Sequence, residues 1–332
     1  MQTPTRTALT LFALLCTALT ACGSDVDSPT EDDATSGTGG SDTSTEPALI
    51  DFFDEELFAA TPELVDCELE NGSSTKCYRI SFQNYQDSSG PFCPLTEDDI
   101  GGVGIYDGAT NPGFQVLKKE LWDGMENDGW DVVDEDGNVR LNGEQGTGTC
   151  LEMPTIDLVV TFLIPAYPEP LDTPDQIDVV ELYGVAVYDG MPLTGHPPSV
   201  TDGPPLPNAQ GGGIPSLDPC GGHGDPAGYW HWHFTPENSQ SVLDAFQIDD
   251  VSCTDIPQKT EGLVGFAKDG YPIYSPLEDG EVPSGLDECN GLFGATPEYP
   301  SGVYHYYAVD QQAPNLPTCI IGAAAQRSFS IE

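Results

Sequence analysis

Apolar and polar positions alternate with period two along many short stretches of this chain, and few stretches carry the period of a helix. Runs at 78–82, 156–164, 177–188, 228–234, 263–267, 303–309 and 327–331 read as strands bounded by Gly, Pro, Asn or Asp. Three short helices are expected, at 51–59, 113–125 and 236–247, with Thr235 placed to cap the last. The 37 Gly and 30 Pro among 332 residues leave little room for longer ones. The expected fold is mainly β, sandwich-like or an irregular α+β arrangement, with a few short helices and disulfide support.

Three segments echo one another: Val103-Gly-Ile-Tyr-Asp-Gly108, Val185-Ala-Val-Tyr-Asp-Gly190 and Gly265-Phe-Ala-Lys-Asp-Gly270. Each runs from strand residues into an Asp-Gly turn. Hairpin formation accounts for this, because Asp-Gly supplies the positive φ angles of a tight turn. Duplication of a strand-turn unit is the alternative.

The N-terminus carries one cation, Arg6, an apolar run over residues 9–19, and then Leu19-Thr20-Ala21-Cys22. This is the plan of a secretory signal peptide over residues 1–21, too short to span a bilayer as a permanent helix. Leu-Thr-Ala-Cys is similar to the bacterial lipobox, which implies lipidation of Cys22 and a membrane anchor. No Asp follows Cys22 directly, which favours the outer membrane of a Gram-negative envelope. Residues 22–47 are rich in Ser, Thr, Asp and Gly and read as a disordered tether. Removal of Cys16 with the signal and use of Cys22 for lipid leave Cys67, Cys77, Cys93, Cys150, Cys220, Cys253, Cys289 and Cys319. An even number in an exported chain points to as many as four disulfides. Proximity suggests Cys67 with Cys77; the other pairings stay open.

The histidines, at 196, 223, 231, 233 and 305, fall within the last part of the chain. In Tyr229-Trp-His-Trp-His-Phe234 a strand sends Tyr229, His231 and His233 to one face and Trp230, Trp232 and Phe234 to the other. Same-face residues stand about 6.6–6.8 Å apart, a span over which two imidazoles can converge on one ion. His223 follows two glycines that let the backbone fold back, and His305 lies on a second expected strand. Three or four such ligands suit a transition metal, with copper favoured over zinc or iron in an exported protein. His196 reads as a loop residue. Calcium is a further candidate, at the acidic, Gly-containing segment 131–138 or at Asp218, Asp287, Glu288 and Asn290.

Around these residues the chain resembles the YHYH domain family, whose Tyr-His-Tyr-His strand reads Trp230-His231-Trp232-His233 here. The resemblance extends over 154–319. It includes Tyr183-Gly-Val-Ala-Val-Tyr-Asp-Gly190, Cys220-Gly-Gly-His223, Gly265-Phe-Ala-Lys-Asp-Gly-Tyr-Pro-Ile-Tyr274, Leu286-Asp-Glu-Cys-Asn-Gly291 and Tyr304-His-Tyr-Tyr307. Both motif tyrosines are replaced by tryptophan while the histidines stand. The family resemblance implies a domain over 154–332, with 48–153 as an N-terminal extension packed on its core. It names no reaction.

Composition narrows the partners. Against 55 Asp and Glu stand 9 Lys and Arg, a formal charge of -46. Such a field repels phosphate backbones, so nucleic acid is excluded as a partner, leaving the membrane and a metal ion. The serine-hydrolase elbow and the Walker and dinucleotide fingerprints are missing. The expected function is that of a cell-envelope lipoprotein binding a transition metal. A metal-dependent oxidative or hydrolytic enzyme at that site, and an adhesion or carbohydrate-binding module, are the alternatives.

Overall fold

The computed structural model of the chain describes residues 47–86, 92–110, 113–141, 149–151, 154–198 and 213–332. The signal peptide, Cys22 and nearly all of the tether lie outside them. Among the described residues are eighteen strands, two α-helices and three 3-10 helices.

Two sheets face one another. The first has four strands in the order Phe58–Glu68, Ser74–Asn84, Leu158–Pro165, Phe329–Ile331. Alternation decides its inner face: Ile80 and Phe82 on one strand, and Leu158, Val160, Phe162 and Ile164 on the next, are buried. They share a core with Val185, Phe266, Tyr274 and Tyr307 of the second sheet. Phe53 bridges the layers, its ring 5.2 Å from Phe82 and 6.2 Å from Phe266. The mainly β, sandwich-like expectation therefore holds.

The second sheet has eight strands in the order Gly222–Gly224, Trp230–Trp232, Pro192–Thr194, Leu182–Ala186, Leu263–Ala267, Pro272–Tyr274, Val303–Tyr307, Gly291–Gly294. Its order is symmetric about the central antiparallel pair Leu182–Ala186 and Leu263–Ala267. In each half the first strand pairs antiparallel with the second, the second parallel with the fourth, and the third antiparallel with the fourth. The register coincides down to a shared irregularity: Leu182, Gly184 and Val185 face Thr194, Leu193 and Pro192, and Leu263, Gly265 and Phe266 face Tyr274, Ile273 and Pro272. Side chains repeat too. Asp189 accepts the Trp232 indole N–H at 2.9 Å, and Asp269 accepts the Tyr306 hydroxyl at 2.6 Å. Asp218 and Asp287 each accept the amide four residues on, at 2.9 and 3.1 Å, in turns that carry the disulfide-bonded Cys220 and Cys289. The echoed Asp-Gly segments at 189 and 269 are thus corresponding turns of one duplicated four-strand unit.

Four disulfides join Cys67 to Cys77, Cys93 to Cys150, Cys220 to Cys253 and Cys289 to Cys319. The expected helix at 113–125 is split. Gly113–Val116 is a hairpin strand burying Phe114 and Val116, and the α-helix is Lys119–Asn127. At 51–59 two 3-10 turns run into the strand Phe58–Glu68, because this stretch gains a full-length antiparallel partner that its own propensity does not reveal. At 236–247 the helical segment is present, but Thr235 does not cap it: its hydroxyl donates to the Asn238 side chain at 2.8 Å.

Candidate metal centre

The strand Trp230–Trp232 is held from both sides before its histidines come into play. The Asn84 side chain accepts the Trp230 amide at 2.7 Å and donates to its carbonyl at 2.8 Å, acting as a piece of neighbouring strand. On the other side the hairpin places His223 directly opposite His231. That close approach requires glycine at 222, where a Cβ would lie 2.4 Å from the Trp232 ring, and at 221, where φ is 88°. Trp230 and Trp232 enter one core, and Tyr229 packs in the other, its ring 5.4 Å from both His231 and Phe329. The alternation of Tyr229 to His233 is therefore that of the sequence pattern.

His223, His231 and His233 converge, with one ligand atom from each within 4.8 Å of the others. Nε2 of His233 lies 3.1 Å from Nε2 of His223 and 3.1 Å from Nε2 of His231. Two bonds of about 2.0–2.1 Å meeting at a tetrahedral angle would hold their nitrogens about 3.3 Å apart. The spacing is within reach of ligation with little movement.

Tautomers follow from the partners. Nδ1 of His233 lies 2.5 Å from the Gly195 carbonyl, which can only accept, so that nitrogen carries the proton and Nε2 presents its lone pair. Thr194 Oγ1 stands 3.2 Å from the same nitrogen, completing the support that orients a metal-ligating ring. His231 Nδ1 is buried without a protein partner. Burial lowers all three rings: His223, half-buried overall, to about 4, and the buried His231 and His233 well below 6.5, reinforced by their neighbours' charges. At neutral pH the trio is uncharged, as ligation requires.

The remaining candidates lie elsewhere. Four strands stand between His305 and the strand Trp230–Trp232. Its Nδ1 meets the Val303 carbonyl at 3.0 Å and its Nε2 the Tyr307 hydroxyl at 2.9 Å, so it does not join the trio. His196 keeps its Nδ1 2.6 Å from the Pro197 carbonyl. Asp134 accepts the Asp136 and Asn138 amides and the Asn138 side chain, so its oxygens close a hairpin turn. Asp287 accepts the amides of Cys289 and Gly291 in the same manner. Sequence reasoning missed Thr194, Gly195 and Asn84 as positioning groups. For Thr194 and Gly195 the signal is the Pro-Leu-Thr-Gly segment after the second Asp-Gly turn; Asn84, at the end of the strand Ser74–Asn84, carries none.

The model of the family described as YHYH protein matches residues 208–283 and 277–322. No curated protein and no solved structure matches the chain. The chain thus carries a YHYH domain, within a span that holds the converging trio and His305.

Proposed function

We propose that this chain is a cell-envelope lipoprotein, exported by residues 1–21 and anchored to the outer membrane through Cys22, whose YHYH domain binds a transition metal through His223, His231 and His233. The observation that carries the metal reading is the pair of 3.1 Å separations between Nε2 atoms. Three neutral imidazoles with no thiolate or carboxylate among them suit copper, which tops the affinity order for nitrogen donors, ahead of zinc or iron. The bound ion would supply Lewis acidity or a redox couple. The protein would supply a largely buried seat with the Tyr229 ring against His231, and the Gly195 contact that fixes His233.

Protein expressed into an oxidising compartment with its signal intact should carry about one metal per chain, copper when copper, zinc and iron are all supplied. His231→Ala/His233→Ala should lose it. Protein that stays metal-free under those conditions sinks the binding reading. A Cys22→Ser variant that still fractionates with the outer membrane sinks the anchoring one.

A further inference from the structure

The duplication places a second set of side chains where the trio sits in the first half. Trp232 faces Leu193 and Tyr306 faces Ile273, so His231 corresponds to His305 and His233 to Tyr307. His223, opposite His231, corresponds to Leu292, opposite His305. Where the first half has three imidazoles, the second half thus has one imidazole, a phenol and a leucine. A carboxylate comes in from the turn at 278–281: Glu278 Oε2 lies 3.2 Å from the Tyr307 hydroxyl, which lies 2.9 Å from His305 Nε2.

Proton counting shows what this set is short of. His305 Nδ1 faces a carbonyl, so it carries the ring proton and Nε2 offers a lone pair. The phenol oxygen and the Glu278 carboxylate add two more acceptors, and the one phenolic proton is shared among three groups. His305 and Tyr307 are 1% and 2% exposed, so water reaches this set only from the side of the exposed Glu278 carboxylate. Tyr307 and Glu278 also line a cavity of about 400 Å³ together with Tyr274, Leu277 and Thr296, which gives an ion a way in.

We propose that His305, Tyr307 and Glu278 form a second metal site, whose one-nitrogen, two-oxygen donor set takes a hard trivalent ion, ferric iron being the probe. Loading exchanges three of the ion's bonds to chelator or water for bonds to His305 Nε2, the Tyr307 oxygen and a Glu278 oxygen, and releases the phenolic proton to solvent. No electron is transferred. Oxygen donors favour harder ions than imidazole alone does, so the two halves would sort two metals.

The test uses the mature, disulfide-bonded chain carrying His231→Ala/His233→Ala, with iron supplied as ferric nitrilotriacetate. One equivalent should bind and produce a visible phenolate-to-iron charge-transfer band. Tyr307→Phe should abolish the band, and Glu278→Gln should weaken binding at least tenfold. Tyr188→Phe, on the surface, should leave the band intact. Should the double-alanine chain not fold, the native chain with colourless zinc in the first site replaces it. Absence of the band, or a band that survives Tyr307→Phe, overturns the proposal. Neither result bears on metal loss at the first site, which His231→Ala/His233→Ala reports separately.

Discussion

Acidifying the metal-free protein should cost it the stability that rests on an uncharged His223. An unfolded histidine titrates near about 6.5, whereas burial holds His223 at about 4. Since the folded value is the lower, the unfolded chain takes up the proton first. The contribution is therefore complete above pH 6.5 and is lost as pH falls toward 4. A gap of about 2.5 units corresponds to at most about 3 kcal/mol, of which about 2 kcal/mol has gone by pH 5. His231 and His233 act in the same direction. Five carboxyls oppose it, because burial raises Asp189 and Asp218 to about 7 and Asp269 to about 6, and lifts Glu70 and Glu237 above the usual range. Their folded values exceed the unfolded ones, so their contribution grows as pH falls and is lost as pH rises, through about 6 to 7 for the three aspartates. The whole-protein profile is flattened by this opposition, and the informative quantity is the difference between the native chain and His223→Gln. Urea unfolding with chelator present and disulfides intact, at pH 8, 7, 6 and 5, should show that difference shrinking by about 2 kcal/mol. A difference constant to about 0.5 kcal/mol over that range would refute an imidazole withdrawn from solvent.

Two further outcomes are expected. Cys220→Ser/Cys253→Ser opens a loop closed across a sequence separation of 33 and should destabilise by about 4 kcal/mol on the chain-entropy scale. It should also weaken metal uptake, because Cys220 anchors the turn that presents His223; a variant with native uptake and native urea midpoint would speak against that anchoring. Nine bases cannot partner 55 acids, so self-repulsion should be relieved by salt. The thermal midpoint should rise between 0.05 and 1 M NaCl, and an unchanged or lower midpoint would contradict this reading.

The metal centre was legible where a local rule governs it. Period two alone separates His231 and His233 from the flanking tryptophans, and two glycines before His223 announce a backbone that turns back. What places His305 apart is strand order, which depends on pairings such as Ala267 with Gly184, far apart along the chain, and leaves no local mark. Cys67 and Cys77 could be paired because a short turn joins them, whereas Cys93 and Cys150 meet across 57 residues of chain. The strand Phe58–Glu68 escaped notice because most of its side chains are exposed and its structure comes from its neighbour. The duplication showed in the sequence only as an echo of Asp-Gly turns, for a related reason. Its halves agree in register, turn chemistry and disulfide position, while the residues on their strands have diverged to Trp against Tyr and His against Tyr or Leu.

One placement sets how the first site would report its own state. His223 belongs to the outermost strand of the eight-stranded sheet, a three-residue segment, while His231 and His233 belong to the strand next to it and its immediate extension. An ion shared by the three would rivet the margin of the sheet to its interior. Emptying the site would leave that margin free to fray without disturbing the layers beneath, so amide exchange at residues 222–224 would track occupancy while the central pair stayed protected.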